Sequence, residues 1–418
     1  MEKVMTKNDK ILLISYFYGT KGCCPAEWAD DKVDAISKIG NEVILLTSVS
    51  SKKNESEGII HYRIPSLSIQ DLKHELAELK KEKMDIPYMQ FFVFMPFVIT
   101  LGYLLDLLQK FITSGNGGGK WSWAFPASVC ALYLAIRYNC RTIFTTGGPA
   151  SAHLAGVFVS LLTRKKLVCE LQDPLSGKDI GRTANSSKLL SSVEKIIMKA
   201  ANKVVFVTKN AAAHAKNKYK YMKTEIVAIY PGSKFFSKSE NNILPEKLTM
   251  IHLGTLYSTR NFNTLIQAID ELIDERLIDK NQIEILNLGE IYGEIKEHHL
   301  LRSYIKQESI KPREEAIYIA STYMVSLLIQ HSDSRSEATI PYKTYDYINI
   351  GNPILALTNS DELSCLLIES GHISVDVDNV DLIKETILSL SKRYIEFKNH
   401  VKPLAIDIVE QTNKILHK

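Results

Sequence analysis

Hydrophobic positions along the chain occur in short runs of strand length, separated by segments of helical periodicity. In the first half these runs contain few polar residues, which is typical of parallel strands buried on both faces. The predicted strands are residues 11–15, 42–47, 59–64, 142–146, 167–171 and 204–208, and the predicted helices include residues 26–39, 151–163 and 188–200. This alternation predicts right-handed βαβ units and a doubly wound α/β sheet.

The same alternation restarts after a polar break near residue 240, which contains the turn cluster Tyr230-Pro231-Gly232-Ser233. Beyond the break, strands are predicted at residues 248–253, 283–288, 324–330, 353–357 and 372–375, and helices at 263–273, 312–321, 343–350 and 380–390. We therefore expect two Rossmann-like domains with parallel sheets facing a central cleft. Their predicted ranges are 1–240 and 241–395, with a C-terminal helix at 396–418 that can pack back on the first domain. Ligands of such sheets bind at the carboxyl ends of the strands.

One segment interrupts the pattern, because residues 86–105 are 20 consecutive residues without a formal charge. This length is that of a transmembrane helix. A single crossing would place the first three strands across the bilayer from the rest of their sheet, and Pro96, Gly102 and Asp106 weaken a straight span. Two interpretations remain: a buried pair of helices in an enlarged core, or a monotopic element, residues 86–112, that dips into one membrane face. The second predicts a membrane-associated protein without a crossing.

Composition narrows the class of protein. A chain of 418 residues is long enough for two domains, and 45% hydrophobic with 23% charged residues excludes a disordered, collagenous or coiled-coil chain. The net charge of +4 gives no signature of nucleic-acid binding, so no nucleic-acid partner is expected. The six cysteines contain no CxxC pair, which favours free thiols in a reducing cytosol over a disulfide framework or zinc site. Residues 1–10 run directly into the first strand, so no secretory signal is expected.

The charge is unevenly distributed along the chain. Residues 160–240 hold 16 Lys and Arg against 6 Asp and Glu, a local net charge of +10. A solvated basic face accounts for such an excess. Beside an apolar segment, it also suits an anionic membrane and a lipid diphosphate acceptor.

Three loops of the first domain follow predicted strands and carry candidate binding residues. The first contains Gly22, where the backbone can approach a ligand in front of a helix, although an ordinary βα turn has the same pattern. It has no GxGxxG fingerprint of a dinucleotide. The second contains Thr146, Gly147 and His153, and this histidine either points into the site or packs. In the third, Asp173 is followed by a proline and suits a polar contact or a proton acceptor.

The second domain begins with a candidate anion site. Gly254, Thr255, Tyr257 and Arg260 lie between a predicted strand and a predicted helix. A helix dipole and a guanidinium there act together on an anion such as diphosphate, whereas a solvated arginine is the alternative.

The stretch 336–353 is the richest in candidate chemistry. Lys343 and Asp346 are three positions apart, so they share a face in the first turns of a predicted helix. One cation and one carboxylate there can hold a phosphate and a ribose diol. Glu337 lies just upstream and would face the sugar.

These motifs together resemble those of the family 4 glycosyltransferases, which have the GT-B fold and move a sugar from a nucleotide-sugar to an acceptor with retention of configuration. The resemblance covers almost the whole chain, and the order and spacing of the motifs are more specific than any one of them. The matching stretches are residues 11–39, Gly40-Asn41-Glu42-Val43 where the family commonly has Gly-His-Glu-Val, 121–126, 146–154, 171–174, 254–261 and 337–353.

The resemblance assigns roles to several residues. It implies that Arg260 binds the donor diphosphate, that Glu337 is the first glutamate of the family's paired motif and contacts the donor sugar, and that Asp346 lies where the ribose-binding glutamate is found. The chain departs from the family pattern in four ways. The spacing between the two carboxylates is one residue longer than usual, and the second carboxylate, Asp346, is an aspartate in place of a glutamate. Thr255 replaces a common arginine, and the loop at Thr146 lacks a histidine that some members carry.

The implied activity is a retaining transfer without a metal or other cofactor, in which Arg260, Lys343 and helix dipoles stabilise the leaving diphosphate. With the apolar segment and the basic region, we expect a nucleotide-sugar donor and a polyprenyl-diphosphate-linked glycan acceptor in bacterial surface polysaccharide assembly. The expected location is peripheral, on the cytoplasmic face of the membrane. The alternatives are a sugar-nucleotide epimerase of the same fold and a catalytically degenerate scaffold subunit.

Overall fold

A computed structural model describes residues 9–20, 22–113, 120–176, 184–234, 247–293, 295–402 and 406–417. The chain divides into two compact units, one formed by Met1–Pro231 with Ile408–Lys418 and the other by Gly232–Asp407. The predicted boundary near residue 240 lies outside the described residues.

The first unit is built on a seven-stranded sheet in the order β3-β2-β1-β4-β5-β6-β7, with every neighbouring pair parallel. The strands are β1 Lys10–Ile14, β2 Glu42–Ser48, β3 Ile59–Ile64, β4 Thr142–Gly147, β5 Lys166–Leu171, β6 Lys203–Phe206 and β7 Glu225–Ala228. Six of them follow the predicted apolar runs. The edge strand β7 escaped prediction because it has four residues and is only partly buried.

Helices cover both faces of this sheet. Those that precede the second unit are α1 Cys24–Lys38, α2 Ile69–Lys81, α3 Tyr88–Thr113, α4 Ala124–Arg137, α5 Ala150–Thr163, α6 Ala184–Ala200 and α7 Lys209–Lys218. Apolar side chains of α4, α5 and α6 pack on one face of the sheet, and those of α1 on the other. Because these two cores bury the middles of the strands, groups that could bind a ligand are expected at the strand ends.

The apolar segment predicted at 86–112 forms one helix, α3, from Tyr88 to Thr113, so of the two interpretations the buried pair of helices is wrong. Pro96 lies inside this helix, and most of its large side chains are exposed. Phe91 and Val98 are buried against Leu67, Leu72 and other apolar residues of a small separate cluster. Among the described residues, Tyr88–Phe111 is the one stretch of helix that is long and apolar enough to cross a membrane.

The second unit is built on a six-stranded sheet in the order β10-β9-β8-β11-β12-β13, again with parallel neighbours. The strands are β8 Leu248–Leu253, β9 Ile283–Leu288, β10 Ile305–Glu308, β11 Val325–Ile329, β12 Ile354–Leu357 and β13 Ile373–Val375. The helices are α8 Asn263–Asp274, α9 Ile295–Leu300, α10 Arg313–Thr322, α11 Lys343–Ile350, α12 Asp361–Glu369 and α13 Val380–His400. Both sheets are therefore doubly wound and parallel, as the alternation of elements predicts.

The C-terminal segment differs from the single predicted helix at 396–418. Helix α13 runs on to His400, with non-helical backbone at Arg393, and ends within the second unit. The last helix, α14 Ile408–His417, belongs to the first unit and packs against α1. Its Ile415 and Leu416 join the core on that face of the sheet. The chain thus returns to its first unit with its C-terminal segment, Ile408–Lys418.

Candidate functional site

In the second unit, two glycines bring the loops after β8 and β9 into contact. The φ angle of Gly254 is +111° and that of Gly289 is +152°, both in the region that favours glycine. A Cβ atom on Gly289 would lie 2.3 Å from the carbonyl oxygen of Gly254. The backbone N–H of Gly254 also donates to Leu288 O at 2.8 Å. These close contacts fix the backbone at the carboxyl ends of the two strands.

A tight turn follows, before α8 begins. Tyr257 and Arg260 exchange two backbone hydrogen bonds of 2.9 and 3.0 Å around Ser258, which has a positive φ of 51°. The guanidinium carbon of Arg260 lies 5.8 Å from the centroid of the Tyr257 ring. Thr255 is half-buried at the start of this loop. The turn therefore holds Arg260 against an aromatic ring directly before a helix N-terminus.

Thr259 ties this loop to the loop after β11. Its hydroxyl donates to Asp333 Oδ2 at 2.8 Å and accepts from Arg335 Nη2 at 3.1 Å. Arg335 in turn forms two bonds with Asp333, of 2.8 and 2.6 Å, and holds the pKa of that carboxyl well below its usual range. Glu337 follows within the short 3₁₀ helix Ser334–Ala338, and its side chain is exposed. The network joins the two loops that carry Arg260 and Glu337.

Lys343 is held at the carboxyl end of β8 by a chain of hydrogen bonds. Asn287 Nδ2 donates to Gly289 O at 2.8 Å, so its Oδ1 accepts the proton of His252 Nδ1 at 2.7 Å. Nε2 of His252 then accepts from the Lys343 ammonium, which also donates to Leu253 O at 2.7 Å. Burial, together with the charge of Lys343, keeps the pKa of His252 well below its usual range. The neutral histidine therefore positions a cation at the strand end.

Asp346 is buried and its carboxylate is engaged within the unit. Arg313 binds both oxygens, with Nη2–Oδ1 at 2.7 Å and Nε–Oδ2 at 3.0 Å, and Ser233 Oγ donates to Oδ1 at 2.6 Å. The guanidinium of Arg313 also stacks on Tyr342. Lys343 and Asp346 therefore have different partners, although they lie within one turn. The carboxylate that this block exposes is Glu337.

In the first unit, His153 of α5 is fully buried against β4. Its Nε2 donates to Gly147 O at 3.3 Å, and its Nδ1 accepts from the Thr145 hydroxyl at 2.7 Å. Burial lowers the pKa of His153 to about 4. Of the two interpretations of this residue, the structure has the packing one.

Thr146 belongs to a buried polar cluster. Its hydroxyl donates to Glu170 Oε2 at 2.6 Å, and Lys32 Nζ lies 3.0 Å from Glu170 Oε1. Both side chains of this ion pair have zero exposed surface. The sequence signals were present, as a glutamate inside an apolar strand and a lysine among the buried residues of α1, but they lie far apart in the chain.

Gly22 and Asp173 are both exposed at the carboxyl side of the first sheet. Gly22 has a positive φ of 69°, and its N–H donates to Glu27 Oε1 at 3.2 Å. Asp173 lies two residues after the end of β5. Gly147, the last residue of β4, is buried, and a Cβ atom on it would lie 3.4 Å from Ser15 Oγ.

A further carboxylate, which sequence reasoning missed, lies where β1, β2 and β3 end. Glu75 of α2 accepts from Tyr16 Oη at 2.8 Å, from Ser66 N at 3.0 Å and from Ser66 Oγ at 2.6 Å. Ser48 Oγ lies 3.4 Å away. Burial raises the pKa of Glu75 to about 7, against the opposing effect of these donors. Glu75 therefore titrates near neutral pH at a strand end of the first unit.

A metal site would need several ligating side chains around one point. Within the described ranges, no three His, Cys, Asp or Glu side chains come together as a metal ion requires.

Solved structures share this architecture. Anabaena HepE in complex with UDP has 14% sequence identity, a TM-score of 0.61 and coverage of 98% of each chain. Sucrose-phosphate synthase from Thermosynechococcus elongatus has 12% identity and a TM-score of 0.61, over 97% of this chain and 94% of that one. A protein proposed to be a UDP-N-acetylglucosamine 2-epimerase, from Listeria monocytogenes, has 12% identity and a TM-score of 0.50, over 99% and 95%.

The chain has the GT-B fold. This likeness confirms the expected α/β class with two parallel sheets of seven and six strands. No protein-family profile matches the sequence, and no curated protein matches it. Family 4 membership thus remains a resemblance carried by the motifs. In this GT-B chain, the linked loops after β8 and β11 lie on the C-terminal unit, where the resemblance places the donor.

Proposed function

We propose that the protein is a retaining glycosyltransferase that binds its nucleotide-sugar donor on the second unit. The observation that carries the proposal is the pair of linked loops after β8 and β11, which hold Arg260, Lys343 and Glu337 at the carboxyl ends of neighbouring strands. Two cations beside a helix N-terminus suit a diphosphate. HepE, of the same fold, was solved with UDP.

The residues divide the work of transfer among themselves. Arg260 and Lys343 neutralise charge on the departing nucleoside diphosphate, which is stabilisation of the transition state by preorganised groups. Glu337 contacts the donor sugar. Asp346 anchors Arg313 and Ser233 and so supports α11, on which Lys343 lies, while the ribose contact assigned to it by resemblance stays a prediction. Asp173 is the candidate proton acceptor of the first unit. No cofactor or metal is part of the proposal.

We further propose a lipid-linked acceptor, a polyprenyl-diphosphate glycan, and a peripheral location on the cytoplasmic membrane face. The support is the exposed apolar side of α3 and the excess of Lys and Arg over residues 160–240. A sugar-nucleotide epimerase of the same fold acts on a soluble substrate and has no need of such a surface. Because a protein proposed to be an epimerase, from Listeria monocytogenes, is similar in structure, epimerisation is kept as one outcome of the test below.

Calorimetric titration with a panel of nucleotide-sugars and free nucleotides tests the donor proposal. We expect one nucleotide-sugar to bind, and Lys343→Ala to weaken its binding by about tenfold or more, because a charge-assisted phosphate contact is lost. Lys392→Ala is the matched control, since it removes an exposed cation of α13 in the same unit. Conversion of the donor to an isomer without any acceptor would identify an epimerase. Absence of binding by the whole panel would contradict both enzymes.

A further inference from the structure

The outward faces of α4 and α5 are apolar and exposed. On α4 the exposed apolar residues recur at intervals of three and four, which places them in one stripe along the helix. They are Phe125, Val129, Tyr133 and Ile136. On α5 the corresponding residues are Phe158, Leu161 and Leu162. These side chains have no role in the core that the same two helices form with the sheet.

The exposed charge on α4, α5 and α6 is positive. Helices α4, α5 and α6, which are described in full, contain a single acidic residue, Glu194. It is buried and bound by Lys218, Tyr219 and Ser176. The exposed charged residues of these helices and of the α5 C-cap are all cations, namely Arg137, Arg164, Lys188, Lys195 and Lys199.

Helix α3 is fastened to the protein along one side. A Cβ atom on Gly102 would lie 2.8 Å from Ile69 Cγ1 and 3.0 Å from the carbonyl oxygen of Leu67, so the backbone of α3 packs closely against the chain just before and at the start of α2. Asp106 accepts from the N–H of Gln70 at 3.1 Å, and Gln109 donates to Asp71 at 3.1 Å. The opposite side is exposed and apolar, with Phe92, Ile99, Tyr103 and Phe111 among its residues. A crossing helix would have to break these polar contacts, so α3 presents a side and not an end.

The helices concerned are neighbours within the first unit. Helix α3 packs against α6, α6 against α5, and α5 against α4. The apolar stripes and the exposed cations therefore belong to one connected group of helices.

We propose that the outward faces of α3, α4 and α5, with the cations of α4, α6 and the α5 C-cap, form a docking surface for an anionic lipid bilayer. This deepens the proposed function, on whose lipid-linked acceptor it rests, by assigning α4 and α5 to the membrane together with α3. Apolar side chains enter the interface while Lys and Arg bind lipid phosphates. A second copy of the chain fits less well, because a symmetric contact would oppose cations to cations.

Flotation of the full-length protein with phosphatidylcholine vesicles, with and without phosphatidylglycerol, tests the surface. We expect binding to the anionic vesicles, and a fall in the bound fraction of about tenfold or more for Val129→Glu with Ile136→Glu, because two charges then face the acyl boundary. Helix α3 is unchanged in this variant. The control is Leu277→Glu with Tyr318→Glu, two equally exposed apolar residues of the second unit, which should bind as the wild type does.

Three results would overturn the proposal. Undiminished vesicle binding by the α4 variant would leave α3 as the sole contact. Vesicle binding could also be independent of phosphatidylglycerol and equally strong in Lys195→Glu with Lys199→Glu. That result would exclude a role of the cations of α4, α6 and the α5 C-cap. A wild-type dimer that the α4 variant converts to a monomer, without vesicle binding by either, would identify a second copy as the occupant. Calorimetry of donor binding by the same variants, which should be unchanged, separates failure of this surface from failure of the enzyme proposal.

Discussion

The two units share one doubly wound architecture but differ in where their polar and apolar groups are exposed. In the second unit, charged side chains at the carboxyl ends of β8 and β11 form a partly exposed network around Thr259 and Lys343. In the first unit, the polar clusters at the strand ends, around Glu75 and Glu170, are buried. The outer helices differ in the opposite sense, since α3, α4 and α5 of the first unit expose apolar side chains, whereas α10 and α12 of the second unit carry acidic residues in their first turns.

This difference is what the two proposals above require of one architecture: a site for a small anion on the second unit and a surface for a lipid bilayer on the first. The second unit offers cations on loops that hydrogen bonds link to each other, an arrangement that suits a small anion. In the first unit, the buried polar groups around Glu75 and Glu170 hydrogen-bond to one another at the strand ends. The exterior of its helices is apolar and cationic, which suits a lipid surface. The following changes should break or sharpen that contrast.

The largest expected effect is on the stability of the first unit. Lys32→Met leaves Glu170 buried without its cation, which costs about 3–5 kcal/mol. All three tryptophans, Trp28, Trp121 and Trp123, lie in the first unit, so urea unfolding followed by tryptophan fluorescence reports on that unit. Lys32→Met with Glu170→Met should recover much of the loss. Equal stability of Lys32→Met and the wild type would show that the Lys32–Glu170 ion pair does not hold α1 and β5 together.

The next effect is on catalysis and concerns the second unit. Arg260→Ala and Glu337→Ala should each lower kcat/KM for sugar transfer by about 10²–10³, because each removes a preorganised contact to the donor. Tryptophan fluorescence of the first unit should be unaffected. Rates are measured as nucleoside diphosphate release, with Lys392→Ala as the control. Unchanged cellular glycan in both variants would favour the scaffold alternative instead.

The sequence predicts much of the fold, but it does not predict the polar clusters around Asp346 and Glu75. The apolar runs of β1 and β8 predict buried strands, and Gly254 with Arg260 predicts a loop before a helix. Asp346 and Arg313 are 33 residues apart, and Tyr16 and Glu75 are 59 apart. Such pairs depend on tertiary packing, which local periodicity does not encode. The strands β7 and β10 were missed because four-residue edge strands carry too few apolar positions.

A pH-dependent effect of smaller size should be confined to the first unit. Burial raises the pKa of Glu75 from its usual 4.5 to about 7, so the folded state holds this proton more tightly than the unfolded state. The resulting stability is complete below about pH 4.5 and is lost as pH rises to about 7, a change of about 3 kcal/mol. Glu75→Gln should remove this slope. Tryptophan-detected urea midpoints across this pH range measure it, and an unaltered slope in the variant would assign it elsewhere.

The smallest effect tests the link between the two donor loops. Thr259→Val removes a hydroxyl that bridges Asp333 and Arg335, which should weaken donor binding about fivefold, corresponding to about 1 kcal/mol. Calorimetry measures this change. Thr322→Val, on an exposed helix end of the same unit, is the control. Equal affinity of Thr259→Val and the wild type would separate loop linkage from donor binding.

The most direct test of the central claim is acceptor-dependent release of nucleoside diphosphate. The purified protein is incubated with the nucleotide-sugar that it binds, with or without a bacterial lipid extract. The account predicts release that requires the extract, retains the anomeric configuration in the lipid product and is lost in Arg260→Ala. Release that needs no extract, or that Arg260→Ala leaves unchanged, would contradict it.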